Sequence, residues 1–156
     1  MGVWYHYLMR IYELGHVVLY VTNLTRMADF YEHTLGFKQI SREWPMALFS
    51  GGRTHHELLL IEVGGNPRGA EHAHEVRPGL YHIGFKIGDG PEAAKVAYAE
   101  LKEKGVRIVG MTDHYVTHSI YILDPDGNEL ELYADVSKEW KKDPKAVLTP
   151  PKRLYL

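Results

Sequence analysis

The sequence predicts an α+β fold made of two βαβββ modules whose mixed sheet curls around a cavity. Three observations predict it. One order of elements occurs twice, once within residues 11–63 and once within residues 80–135. Each copy starts with a strand, apolar and β-branched in the first and cleanly alternating in the second, and runs into a helix that a glycine ends, Gly36 in the first and Gly105 in the second. Each copy then continues as short strand-like runs broken by turn residues.

In the first copy, residues 15–21 (Gly15-His16-Val17-Val18-Leu19-Tyr20-Val21) read as a strand. Asn23 or Thr25 caps a helix over about residues 27–35, and Gly36 stops it. Residues 37–40, 46–50 and 56–63 read as three further strands, with Gly51-Gly52 as a hairpin turn between the last two. In the second copy, residues 81–87 alternate as a strand and Pro91 opens a helix over about residues 92–104. Residues 106–109, 119–123 and 129–133 follow as strands. Asp124-Pro125-Asp126-Gly127-Asn128 is a turn, because Pro fixes φ and Gly accepts a positive φ. Residues 64–79, rich in Gly, Pro and charge, form a linker. Residues 136–156 form a basic, proline-rich tail that packs on a neighbour or frays. A single domain over residues 1–156 is expected.

Composition narrows the chemistry. There are no cysteines, which excludes disulfides and thiolate metal sites. Ten histidines make imidazole and carboxylate the ligands of any metal site. A net charge of -2 lacks the basic excess of a nucleic-acid binder. No apolar run reaches the length of a membrane span and residues 1–10 show no signal-peptide pattern, so the expected location is the cytoplasm.

Strand alternation selects the candidate ligands. His16 shares a face with Val18 and Tyr20, opposite Val17, Leu19 and Val21. His82 shares a face with Gly84 and Lys86, opposite Tyr81, Ile83 and Phe85. Glu131 shares a face with Glu129 and Tyr133, opposite Leu130 and Leu132. Two imidazoles and one carboxylate form the facial triad that leaves three positions open on Fe(II). Mn(II), Zn(II) or Ni(II) suits the same donors.

The segments Gly15-His16-Val17-Val18, Leu80-Tyr81-His82-Ile83-Gly84-Phe85 and residues 124–133 resemble the metal strands of the vicinal oxygen chelate superfamily. That superfamily includes glyoxalase I, methylmalonyl-CoA epimerase, fosfomycin and bleomycin resistance proteins and the type I extradiol dioxygenases. The resemblance covers about residues 14–135, and within the superfamily it is to the catechol 2,3-dioxygenase-like members. It rests there on His55-His56 at the fourth strand, on Asp113-His114 before the seventh, and on Tyr121 ten residues before Glu131. It implies Fe(II) on His16, His82 and Glu131, with His56 as the acid–base residue. It further implies substrate contacts from His114 and Tyr121, a small aromatic substrate with O2, and a homodimer. Trp44 and Phe49 are expected in an aromatic cavity wall, with Tyr20 and Phe85 as further candidates better accounted for by core packing.

Two other readings accompany it. Glu57-Leu58-Leu59 fits the additional ligand strand of glyoxalase I and the epimerase, which would give four ligands and a Lewis-acid isomerase or lyase. Adjacent strand residues face opposite ways, so His56 and Glu57 cannot both face a metal without a bulge. The preceding His55 favours the dioxygenase; the choice of face stays open. The third reading is a non-catalytic, drug-sequestering binder, against which the full ligand set argues. His72 and His74 in the linker are expected to be solvated.

Overall fold

A computed structural model describes residues 9, 11–67 and 78–156. His72 and His74 lie outside the described residues, as does most of the expected linker. The first module begins with β1 (Val17–Val21), whose Leu19 and Val21 are buried while Val18 and Tyr20 are exposed. Asn23 caps α1 (Leu24–Asp29) by accepting the Arg26 N–H. Leu24, Met27 and Ala28 recur at helical spacing and face the core. The helix continues as a π-helical turn, Phe30–Thr34, which buries Tyr31 before Gly36 turns the chain with a φ of 76°. Three strands follow: β2 (Lys38–Glu43), β3 (Met46–Ser50) and β4 (Leu58–Glu62). They form a sheet in the order β1-β4-β3-β2, with β1 parallel to β4.

Two boundaries differ from the sequence expectation. The strand expected over residues 56–63 starts at Leu58, and the Gly51-Gly52 hairpin is a loop over residues 51–57. The reason is Glu57, whose carboxylate gathers the loop's N–H groups around itself.

The second module repeats the order with β5 (His82–Asp89), α2 (Pro91–Glu103), β6 (Ile108–Asp113), β7 (Thr117–Leu123) and β8 (Glu129–Asp135). Pro91 stands in the first turn of α2, where its missing N–H costs nothing. The tail neither frays nor leaves the chain. It makes two 3-10 turns, Glu139–Lys141 and Pro144–Leu148, and adds β9 (Lys152–Arg153) beside β6, with Leu154 buried. The sheet order is β5-β8-β7-β6-β9.

The helix-bearing faces of the two sheets share one core, in which Phe49, Leu58 and Leu60 meet Ile120, Ile122 and Leu130 around Met27, Tyr31 and Leu101. The 124–128 turn clasps the modules together. Asp126 accepts the Thr22 N–H and hydroxyl at 2.7 Å each and pairs with Arg26. Asp124 accepts the Tyr31 hydroxyl at 3.0 Å. The expected α+β fold of two βαβββ modules with mixed sheets is present, but the sheets do not join into one curled sheet. Among the described residues β1 and β5 are sheet edges, each paired on one side only. No described helix is long and apolar enough to cross a membrane.

Candidate functional site

The second sheet turns Ile83, Ile120, Ile122, Leu130 and Leu132 into the core. Alternation therefore puts His82, Ser119, Tyr121, Glu129 and Glu131 on its other face. Register brings them together: Tyr121 opposes Glu131 across β7 and β8, and His82 opposes Glu129 across β5 and β8. Glu131 Oε2 lies 3.1 Å from His82 Nε2. Glu131 Oε1 accepts the Ser119 hydroxyl at 2.6 Å and the Tyr121 hydroxyl at 3.4 Å. With Tyr121 donating to Glu131, His114 Nε2 donates to the phenol oxygen at 2.9 Å. Burial first, then the charge of Glu131, pushes the Tyr121 phenol well above its ordinary pKa, so it remains a donor.

His114 is held by a tight turn. Tyr115 takes a φ of 69°, rare for a non-glycine residue, and the Val116 N–H closes back on the His114 carbonyl at 2.8 Å. Asp113 accepts the Tyr115 N–H at 2.7 Å. The conformation is costly, and its result is to place the imidazole on Tyr121.

The first sheet carries a separate group. His16 stands just before β1, with the His56 ring centroid at 4.5 Å and that of His55 at 6.3 Å. The Nδ1 atoms of His55 and His56 are 2.6 Å apart, so one donates to the other. Desolvation, then the neighbouring His16 and His55, lower the pKa of His56, which favours its neutral form. Glu57 is engaged elsewhere. It accepts the N–H groups of Gly51 at 2.8 Å, Arg53 at 2.8 Å and Thr54 at 2.9 Å. Burial pushes its pKa up, but the Gly51 N–H and the loop's other donors outweigh that and hold it below the usual carboxylate value.

The donors on the second sheet fit a metal. An imidazole and a carboxylate are the donor types such an ion takes, and His82 Nε2 and Glu131 Oε2, 3.1 Å apart, are close enough for one ion to meet both. Among the described residues, His82 Nδ1 is buried without a hydrogen-bond partner. The expected site residues thus fall into two sets: His82, Glu131, Tyr121 and His114 on one sheet, His16 and His56 on the other. Among the described residues of one chain, no three His, Cys, Asp or Glu side chains converge on one metal position. The cavity-wall expectation for Phe49 is corrected. Phe49 is wholly buried on the helix side against Tyr31, because β3 turns Ala47 and Phe49 inward. Trp44 is 78% exposed between β2 and β3. Phe85 packs on Phe37, and Tyr20 is exposed. Alternation in the sequence sets Glu129 on the face of Glu131 without giving it a role, and does not single out Ser119, which shares strand parity with Tyr121.

Residues 13–132 match the model of the Glyoxalase/Bleomycin resistance protein/Dioxygenase superfamily. The chain belongs to that superfamily. It is 33% identical over 133 residues to a catechol-2,3-dioxygenase of Bacillus subtilis, covering 84% of this chain and 45% of that protein. The chain therefore spans about half the length of that relative. It is 27% identical to a lactoylglutathione lyase of Neisseria meningitidis, covering 77% of this chain and 88% of the lyase. A glyoxalase/dioxygenase structure from Nostoc punctiforme superposes with a TM-score of 0.65 at 19% identity, covering 81% of this chain and 92% of that one, and shows the same fold.

Proposed function

We propose that the chain is a single vicinal oxygen chelate domain acting as an extradiol dioxygenase, which opens a catecholic ring with O2 using Fe(II) on His16, His82 and Glu131. The carrying observation is the hydrogen-bonded run from His114 through Tyr121 to Glu131, beside His82. The likeness to a catechol-2,3-dioxygenase supports the same reading. Bound Fe(II) would supply open coordination positions and the one-electron chemistry that lets a catecholate react with O2. The chain's own residues handle protons and orientation. His56, kept neutral, takes a proton from a catechol hydroxyl at Nε2, since its Nδ1 is engaged with His55. Tyr121 stays protonated, and its one proton turns from the long 3.4 Å bond to Glu131 onto a substrate oxygen while His114 holds the phenol in place.

In this reading two copies complete the site. In one chain the two sets of donors sit on separate sheets whose helix-bearing sides share a core. The unpaired edges β1 and β5 lie next to His16 and His82 respectively. Edge-to-edge pairing between two chains would bring one copy's His16 and His56 to the other's His82 and Glu131.

A metal-dependent lyase of the lactoylglutathione type is the second reading, favoured by the 88% coverage of that relative. The engagement of Glu57 in its loop argues against the fourth ligand this reading needs. Anaerobic Fe(II) loading followed by O2 uptake with a panel of catechols separates the two. The expected result is stoichiometric uptake with a yellow ring-opened product. Metal-loaded protein that takes up no O2 yet isomerises a hemithioacetal would reverse the assignment.

A further inference from the structure

We propose that Ser119 and Glu129 are positioning residues for the metal donors of the second sheet, Ser119 holding Glu131 and Glu129 holding His82. The proposal rests on the metal reading above. Ser119 is wholly buried (0% exposed), and its hydroxyl donates at 2.6 Å to Oε1 of Glu131. Oε1 is thereby occupied, and Oε2 is the oxygen left facing His82 Nε2. A freely rotating carboxylate presents either oxygen or both; this one presents a single oxygen at ligand spacing from an imidazole.

Glu129 does the corresponding work for the imidazole. It is 4% exposed and sits opposite His82 in the register of β5 and β8. Its Oε1 lies 3.6 Å from Nδ1 of His82, slightly beyond a hydrogen bond, and among the described residues Nδ1 has no other partner. Tyr81 hydrogen-bonds the same carboxylate and helps hold it there. A metal on Nε2 keeps the imidazole proton on Nδ1, and a small ring rotation brings that N–H onto Glu129. Carboxylates behind ligating histidines act in this way, fixing the tautomer and the ring plane. A buried carboxylate and a buried hydroxyl on a sheet face each cost desolvation, which this role explains.

The test is Co(II) binding to the intact protein by chelator competition, with the visible spectrum and the metal-induced rise in Tm read alongside. Ser119→Ala and Glu129→Gln should each weaken Co(II) binding about 10–100-fold. Ser119→Thr should restore binding. Ser119→Ala should also change the Co(II) absorption bands as the released carboxylate turns, and the metal-free Tm should move less than the metal-induced increment. Should Ser119→Ala fail to fold, Ser119→Cys keeps the shape, weakens the donor and carries the same expectation. Wild-type affinity and spectrum in the Ser119 variants, or wild-type affinity in Glu129→Gln, overturn the proposal for that residue while leaving the metal site intact. Wild-type protein that binds no Co(II) overturns the metal reading and this one with it.

Discussion

A carboxylate that accepts three main-chain N–H groups has little left to offer a metal, and that is the state of Glu57. Its folded pKa lies below the ordinary value of 4.5, so the folded loop binds fewer protons than the unfolded chain. The stability it contributes is therefore complete above that ordinary value and is lost as pH falls through the lowered one. The amide resonances of Gly51, Arg53 and Thr54 should titrate together with a midpoint below 4.5; a midpoint at or above it contradicts the loop role. Glu57→Gln should abolish that titration, cost about 1–2 kcal/mol, and leave metal affinity unchanged. A large loss of affinity would restore Glu57 as a ligand. Strand parity alone left His56 and Glu57 as alternatives, because it assumed both lie in a strand. They precede β4, and a side chain in a loop is aimed by its hydrogen bonds rather than by alternation.

At the scale of elements, spacing in the sequence was legible wherever contacts are local. Tyr121 and Glu131, ten residues apart, form a direct antiparallel pair, and His114 and Tyr121, seven apart, meet around one hairpin. The 124–128 segment was legible as a turn from Pro125 and Gly127, whose φ is 85°. Its clasp on the first module was not, since Thr22 and Asp126 are 104 positions apart and neither residue signals the other. Asp126 is 5% exposed with three donors on its carboxylate. Asp126→Ala leaves the Thr22 N–H unpaired at a half-buried site and the Thr22 hydroxyl with only the Arg26 guanidinium, and losing hydrogen bonds to a charged group of this kind costs about 2–3 kcal/mol. Urea unfolding should show that loss as a lower midpoint with an unchanged slope. A change below about 0.5 kcal/mol, the usual range for surface substitutions, would reduce the clasp to a surface contact. The course of the tail was not legible for a related reason. A basic, proline-rich composition leaves packing and fraying as alternatives, whereas Lys152–Arg153 pairs with β6 and Leu154 is buried.

For the whole molecule, the repeat was legible but the way its halves meet was not. Each half has an apolar face and a site face, and a sequence cannot say whether the site faces close on each other within one chain or between two. The described chain joins the apolar faces, so the site faces remain open and the edges β1 and β5 remain unpaired. Complementation decides whether two copies share the site. His16→Ala and Glu131→Ala each remove one proposed ligand and should each abolish high-affinity metal binding. If a site takes His16 from one copy and His82 with Glu131 from the other, a mixed dimer of the two variants carries one doubly damaged site and one intact site. Random exchange of subunits makes half the dimers mixed, so about a quarter of all sites should recover wild-type affinity on mixing, with both sites of a closed twofold dimer built alike. A site contained within one chain recovers nothing, because every copy lacks a ligand of its own. Metal titration of the mixed sample after mild dissociation and reassociation, with light scattering to verify the dimer, gives the fraction directly. Recovery near zero in a verified mixed dimer would return the site to a single chain and require the two sheets to close on each other.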